Sequence, residues 1–474
     1  MSPEEFKRLG YALIDFIAEY RERVETLPVM AQVEPGTVRA LFPPTPPQQG
    51  GGLLGVVKEL ERLLLGLTHW QSPRFFAWFP SNAPFSSVLA DLVATGLGQT
   101  GITWLASPAL TELEEVTTDW LRQMFGLPEV FQGVIQDTAS TGTLVALLAA
   151  REWATNFSQE REGLQAEEQP LTVYASDQAH SSVPKAALLA GFGRGNLRLI
   201  ETDDRHALRP EALEAAIAQD LAQGKKPCAV VAAAGTTTTL AFDPLAEVAE
   251  VCRRYGLWLH VDAAMAGSAL ILPECRPLFA GIEEAHSIAI NPHKWLGVAF
   301  DCSLLYVREP EILVRAMSTQ PSYLRSAVDG QVRQYKDWGI PLGRRFRALK
   351  VWFALLDEGV EGLQARLRRD IANARWLAEQ VERTPGWELL APPTLQTLAL
   401  RYDPGGLSPE GLDRHTQDWV QRVNRTGQAF LTPALLKGRW MVRVSIGAER
   451  TERVHVEALW ALMQQEARRV EIEA

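Results

Sequence analysis

The sequence predicts an α/β protein: a mostly parallel sheet covered by helices, preceded by a helical segment and followed by a smaller α+β region. Three observations carry this. From about residue 86 to 365, short apolar runs alternate with helical patterns, among them Leu171 to Tyr174, Leu197 to Ile200, Cys228 to Ala233, Leu257 to Val261 and Ser303 to Val307. Such alternation builds strand–helix–strand units with helices on both sheet faces. A Pro/Gly-rich stretch, Phe42 to Pro47 and on through Gly50, Gly51 and Gly52, sets the first helix apart from the rest of the chain. Finally, after a long helical pattern from Leu363 to Val381, Pro385-Gly386 opens a region of different rhythm. Strands are expected there near Glu388, Leu398, Phe430 and Val442, and helices beginning near Ser408 and Thr451. The expected division is therefore residues 1–85, 86–365 and 366–474, with no internal repeat.

The first helix announces itself by its cap: Ser2 as N-cap, Pro3 in the first turn and Glu5 in the capping-box position. Phe6, Leu9, Leu13, Ile17 and Tyr20 then recur at helical spacing, and a second amphipathic pattern runs around Val56 to Leu67. An isolated pair of this kind cannot bury its own apolar faces. It is expected to wrap around the main body or around a second copy of the chain. With 46% apolar and 22% charged residues the chain is ordinary for a soluble globular protein. Its net charge of -10 argues against a nucleic-acid or anionic-membrane partner, because a phosphate backbone demands a basic surface. Cys228, Cys252, Cys275 and Cys302 lie far apart without metal-site spacing, so reduced thiols and no metal are expected. No run approaches the roughly 18 apolar residues of a membrane span, and no secretory signal opens the sequence, so the expectation is a cytoplasmic protein.

The chemistry is concentrated at two strand ends. Ser287-Ile288-Ala289-Ile290 reads as a short buried strand, which Asn291-Pro292-His293-Lys294-Trp295 closes, Pro292 stopping it. A lysine is thereby placed just past a strand end, where α/β sheets keep their ligand sites. Partial burial lowers the pKa of an amine and makes it a nucleophile toward carbonyls, able to hold an aldehyde cofactor. Taken alone, a lysine after a strand is most often a solvated loop residue. Upstream, Leu257 to Ala264 is another apolar strand, delivering the Asp262 carboxylate at its end. Pyridoxal phosphate needs above all a lysine for its aldehyde and an acid for its pyridine nitrogen. Lys294 and Asp262 have those chemical types, on strands that could be neighbours. A turn or cap acid is the plain alternative for Asp262, although an acid ending so apolar a strand is costly unless paired.

Together the Asn-Pro-His-Lys-Trp and His-Val-Asp-Ala-Ala runs resemble the pyridoxal-phosphate-dependent group II amino-acid decarboxylases, in their aromatic-L-amino-acid branch. The resemblance runs from Pro28 to His455 and includes Gly133 to Gln136, Thr143 to Arg151, Ser176 to Val183 and Ile340 to Lys350. It implies a PLP-dependent transferase-like fold (fold type I), with a large cofactor-binding domain and a small C-terminal α+β domain. The implied reaction converts an aromatic L-amino acid (tryptophan, 5-hydroxytryptophan, DOPA, tyrosine or phenylalanine) to the arylalkylamine and carbon dioxide. The implied assembly is a homodimer with shared active sites.

By the same resemblance, pyridoxal 5'-phosphate is attached at Lys294, its ring nitrogen faces Asp262, and His180 stacks on its ring. A lone histidine is more often structural, and it is the surrounding match that favours this role. Ala139 and Ser140 hold the phosphate, at the helix start that Asp137 to Thr143 supplies. Relatives often carry Ser-Glu-Ala where this chain has Ser140-Thr141-Gly142. Thr237 lies near the ring's hydroxyl side, and Ala264, Asn291 and His293 complete the cofactor set. Trp70, Trp78, Phe79, Pro80 and Ser81 form an aromatic substrate segment suited to clasping a flat side chain by stacking; a core cluster is the plain reading of any one ring. Thr100 and Ile102 reach into the partner's pocket. Mammalian relatives often carry tyrosine at Trp78 and phenylalanine at Ile102. Gly343, where histidine-decarboxylating relatives tend to have serine, leaves room for phenyl or indole. Residues 318–343 are polar and poorly periodic, a mobile lid by resemblance, with Tyr335 expected to protonate the carbanion left by carbon dioxide. In oxygen-using aldehyde synthases of the family that position is typically phenylalanine.

Overall fold

The computed structural model describes residues 1–53, 55–319, 322–324 and 326–469. They form two compact units: Met1–Pro80, Asp370–Leu390 and Ala399–Ala474 in the first, and Ser81–Arg369 with Ala391–Leu398 in the second.

The second unit is built on seven strands: β1 (Gln132–Gln136), β2 (Leu171–Ser176), β3 (Leu197–Ile200), β4 (Lys226–Ala233), β5 (Trp258–Asp262), β6 (Ser287–Ile290) and β7 (Ser303–Val307). Their order across the sheet is β1-β7-β6-β5-β4-β2-β3. The run β3-β2-β4-β5-β6 is parallel, and β7 is antiparallel to β6 and to β1. Every residue of β2, β5, β6 and β7 is buried, which is why those runs are predominantly apolar instead of alternating. Because β1 and β6 both oppose β7, the C-terminal ends of β1, β2, β4, β5 and β6 all open on one side of the sheet. The loops beyond those ends carry the cofactor-binding candidates.

Five helices precede or support this arrangement: α1 (Pro3–Arg23), α2 (Val56–Leu63), α3 (Phe85–Leu97), α4 (Pro108–Phe125) and α5 (Ala139–Ala154). The Ser2 side chain accepts the Glu5 N–H at 3.1 Å, as the cap signal predicts. Helix α5 buries Val145, Ala146, Leu147, Ala149 and Ala150 against the sheet, and Thr138 caps its start.

In the C-terminal region β8 (Trp387–Leu389), β9 (Thr397–Tyr402), β10 (Thr432–Leu436) and β11 (Arg439–Ser445) form a four-stranded sheet in the order β10-β11-β9-β8. Helices Pro409–Arg425 and Arg453–Arg468 accompany it. The expected strand near Phe430 begins at Thr432, and the long helix runs from Ala348 to Arg383 with a break at Gly359, whose φ of 64° is left-handed. Trp387 anchors this region, its ring 4.9 Å from Trp460 and 5.5 Å from Trp419.

Candidate active site

Lys294 and Asp262 are delivered by adjacent strands. Asp262 on β5 is register partner of Ala289 on β6, and the chains stay together past the strand ends. Ala263 N–H donates to Ala289 O at 2.9 Å, and Asn291 N–H to Ala264 O at 2.9 Å. Pro292 then turns the backbone, and Lys294 sits half-buried in the tight turn Pro292–Leu296. Arg366 holds that turn from outside, donating to Trp295 O at 3.0 Å and Leu296 O at 2.8 Å. The Asp262 carboxylate is 9% exposed and accepts the Ala264 N–H at 3.1 Å.

His180 follows β2. Its Nδ1 accepts the Ser182 N–H at 3.1 Å, so the Ser182 hydroxyl, 2.7 Å away, donates to it as well and the ring proton lies on Nε2. The residue is exposed to solvent. Crowding by the protein holds its pKa below the usual histidine range; the Asp262 charge opposes this and the Lys294 charge adds to it. His180 thus lies within electrostatic range of Asp262 and Lys294. His293 is buried, accepts the Cys302 N–H on Nδ1 at 2.9 Å, and is pushed down to about 3 by burial and the neighbouring Lys294. It is therefore a neutral packing group, with its ring 4.9 Å from that of Phe300.

The remaining cofactor candidates lie on the same side of the sheet. Ala139 is buried and Ser140 exposed in the first turn of α5, where helix geometry leaves backbone N–H groups for an external acceptor. Thr237 is half-buried in the turn after β4, next to Gly235, where φ is +94° and an added Cβ would lie 2.6 Å from Ala266 Cβ. Asn291 keeps a buried side-chain oxygen with no hydrogen-bond partner among the described residues. A helix start for a phosphate, a half-buried lysine for an aldehyde, a buried acid for a pyridine nitrogen, an exposed imidazole and an unsatisfied amide together fit pyridoxal phosphate.

In the first unit, Trp70 stacks on Phe75 at 4.5 Å and on Trp78 at 5.1 Å, and Trp78 meets Phe430 edge-on at 5.0 Å. Phe75 is core, whereas Trp78 retains 43% exposure. Phe79 is half-buried and Pro80 buried. In the second unit, Ser81 is half-buried, and Thr100 and Gly343 are brought together, with an added Cβ on Gly343 lying 3.4 Å from Thr100 Cγ2. Ile102 is half-buried beside them in sequence.

Tyr335 is a correction. The lid reading requires a phenol free to reach the substrate, but this ring is only 3% exposed, inside the core that includes Val134 and Trp338. Its hydroxyl donates to Gly133 O at 3.2 Å and accepts from Arg333 at 3.0 Å. Burial, with the Glu114 charge, holds its pKa well above the usual phenol range. Gly133 lies on edge strand β1, three strands from β5, roughly 14 Å at the usual strand spacing. The polar segment has another phenol, Tyr323, which is 79% exposed; its neighbours at 320, 321 and 325 lie outside the described residues.

Three residues escaped the sequence reading. Glu114 and Arg344 form a buried ion pair, with nitrogen–oxygen distances of 2.8 and 2.6 Å. Arg443 on β11 is 3% exposed, stacks over Phe79 at 4.0 Å, and has Nε and one terminal nitrogen without partners among the described residues. Burial lowers its pKa to about 9. The available signal was a charge interrupting the apolar run Val442-Arg443-Val444.

The pyridoxal-dependent decarboxylase conserved domain matches residues 35–403. An aromatic-L-amino-acid decarboxylase of Bos taurus is 40% identical over 481 residues, covering 98% of this chain and 97% of its own. A phenylacetaldehyde synthase of Arabidopsis thaliana is 39% identical over 478 residues, covering 98% and 96%. The crystal structure of Oryza sativa TDC with PLP and tryptamine matches with a TM-score of 0.96 at 36% identity, covering 99% of each chain. This chain therefore belongs to the pyridoxal-dependent decarboxylase family.

Proposed function

We propose that this protein decarboxylates an aromatic L-amino acid with pyridoxal phosphate, releasing the arylalkylamine and carbon dioxide. The observation that carries the reading is the convergence of Lys294, Asp262 and His180 at adjoining strand ends, in a chain whose relatives over nearly full length act on aromatic amino acids. When bound, the cofactor supplies an electron sink for the bond that breaks at Cα. Lys294 would hold the cofactor through its aldehyde. Asp262 keeps the ring nitrogen protonated, and the exposed imidazole of His180 fixes the ring plane. The first turn of α5, at Ala139 and Ser140, and the Asn291 amide hold the phosphate. Tyr323 replaces Tyr335 as the phenol that delivers a proton to Cα, because it is the exposed phenol of the polar segment.

The active unit in this reading is a homodimer with shared pockets. Phe6, Tyr11 and Ile14 on α1 are 60%, 67% and 41% exposed. Phe85, Leu89, Leu92, Val93 and Leu97 on α3 are between 41% and 57% exposed. Apolar faces of this extent suit a second copy of the chain. A second reading, oxygen-dependent aldehyde synthesis, is favoured by the Arabidopsis relative. Incubation of purified protein with tryptophan, 5-hydroxytryptophan, DOPA, tyrosine and phenylalanine, with amine separated from aldehyde, tests both. Amine without peroxide supports the decarboxylase; aldehyde with ammonia and peroxide supports the synthase; neither product refutes both.

A further inference from the structure

We propose that Arg344, locked by Glu114, is a positioning residue for substrate discrimination, setting the segment Thr100–Ile102 and Gly343 against the strand that leads to the cofactor's phosphate. The proposal rests on the reading that Thr100, Ile102 and Gly343 face substrate. Glu114 is fully buried on α4 and Arg344 is 7% exposed. The guanidinium spans both carboxylate oxygens, and one of its nitrogens also donates to Ile135 O at 2.7 Å, while Glu114 Oε1 accepts the Ile135 N–H at 2.8 Å. Ile135 lies on β1, an edge strand whose outer backbone groups would otherwise face a buried space without partners. The ion pair thus takes the place of a neighbouring strand at this residue. One residue further, β1 ends and the loop to the Thr138 cap of α5 begins.

The other side of Arg344 grips the substrate segment. Its carbonyl accepts the Gly101 N–H at 2.9 Å, and its chain neighbour Gly343 lies against Thr100. Gly101 in turn abuts α4: a Cβ there would lie 2.6 Å from Leu110 Cδ2, one helical turn before Glu114. A buried ion pair is seldom retained for stability, since apolar side chains of similar volume often serve as well. Here it joins three elements through directed bonds that apolar side chains cannot make.

The test is kinetic, on cofactor-saturated enzyme. Arg344→Lys keeps the charge but loses the planar fork, so it cannot bridge both Glu114 oxygens and Ile135 O at once. Expected are a KM for the preferred aromatic amino acid raised at least about fivefold, kcat within about twofold, and a kcat/KM ratio of tryptophan to tyrosine shifted at least about threefold. Glu114→Gln should shift that ratio in the same direction. A merely structural role would lower the yield or melting temperature of holoenzyme and leave KM and the ratio unchanged, which overturns the proposal. Loss of folded holoenzyme in both variants also overturns it, by assigning the pair to stability alone. Gly343→Ser separates the two layers of inference. If it moves the ratio and the pair variants do not, the positioning role fails while the substrate reading stands. If it too leaves the ratio unchanged, the substrate reading fails and the proposal with it.

Discussion

Tyr335→Phe separates a lid acid from a structural phenol. The substitution keeps the ring, and with it the edge-on contact with Trp338 at 5.6 Å and the Arg344 guanidinium at 4.8 Å. It removes one hydroxyl that donates to Gly133 O and accepts from Arg333. Arg333 keeps the bond of its other terminal nitrogen to Gln132 at 2.7 Å, so the groups that lose a partner are the buried Gly133 carbonyl and one nitrogen of the part-buried Arg333. Losing one partner of a buried hydrogen bond costs about 1–3 kcal/mol. Each kcal/mol shifts the melting temperature of a large domain by roughly 2–4 °C. The expected outcome is a melting temperature lower by roughly 2–12 °C, an unchanged cofactor absorption band, and kcat for amine within about twofold of wild type. The assay is turnover per mole of bound cofactor, with amine, aldehyde and peroxide measured in air and under nitrogen. A variant that melts like wild type yet loses amine and forms aldehyde in air would refute this reasoning and restore Tyr335 as the proton donor.

The remaining expectations concern the site, its acid and its pH range. Tyr323→Phe should keep cofactor and substrate binding while amine formation falls by about 10²–10⁴, the usual worth of a positioned general acid, with aldehyde appearing in air; undiminished amine would exclude Tyr323 as the donor. Lys294→Ala should lose borohydride-reducible cofactor and nearly all turnover, and full activity in that variant would remove the attachment role. Arg443→Met should keep or raise the melting temperature, since a buried cation whose Nε and one terminal nitrogen lack partners among the described residues is costly to fold around; a clearly lowered melting temperature would show that the cation contributes to stability. Stability should fall on acidification from about pH 6 toward pH 4. His260 and His293 are held down to about 4 and about 3 by burial, so the unfolded chain binds those protons first and each histidine favours the folded state at higher pH. Asp243, raised to about 6 by burial, acts oppositely over the same range. His286, likewise held down to about 4 by burial, makes three groups against one, a net slope of about 2.7 kcal/mol per pH unit, and a flat denaturation free energy between pH 4.5 and 6 would contradict it.

What the sequence made legible came from local rules. Asp262 and Lys294 were legible because one ends and the other closely follows a short, mainly apolar strand, so a charged group there had to be explained. The cap at Ser2 was legible for a similar reason: its partner is three residues away. Edge strand β1 is hard to read from the sequence, where Gly133 to Gln136 stands out only as a motif. Its only sheet partner, β7, comes 167 residues later by register of Gln136 with Ser303, and no periodicity reports such a pairing. Tyr335 was misread because the polar rhythm of residues 318–343 is shared by an exposed stretch and one pinned to that strand. Tyr323 and Tyr335 differ in whether a carbonyl, Gly133 O, waits for the hydroxyl, and that carbonyl lies 202 residues away. The same distance hid Glu114 from Arg344, a pair 230 residues apart. A buried charge becomes intelligible only when its partner is known. For Glu114 and Arg344 the fold supplies it, with nitrogen and oxygen 2.6 Å apart in a buried space.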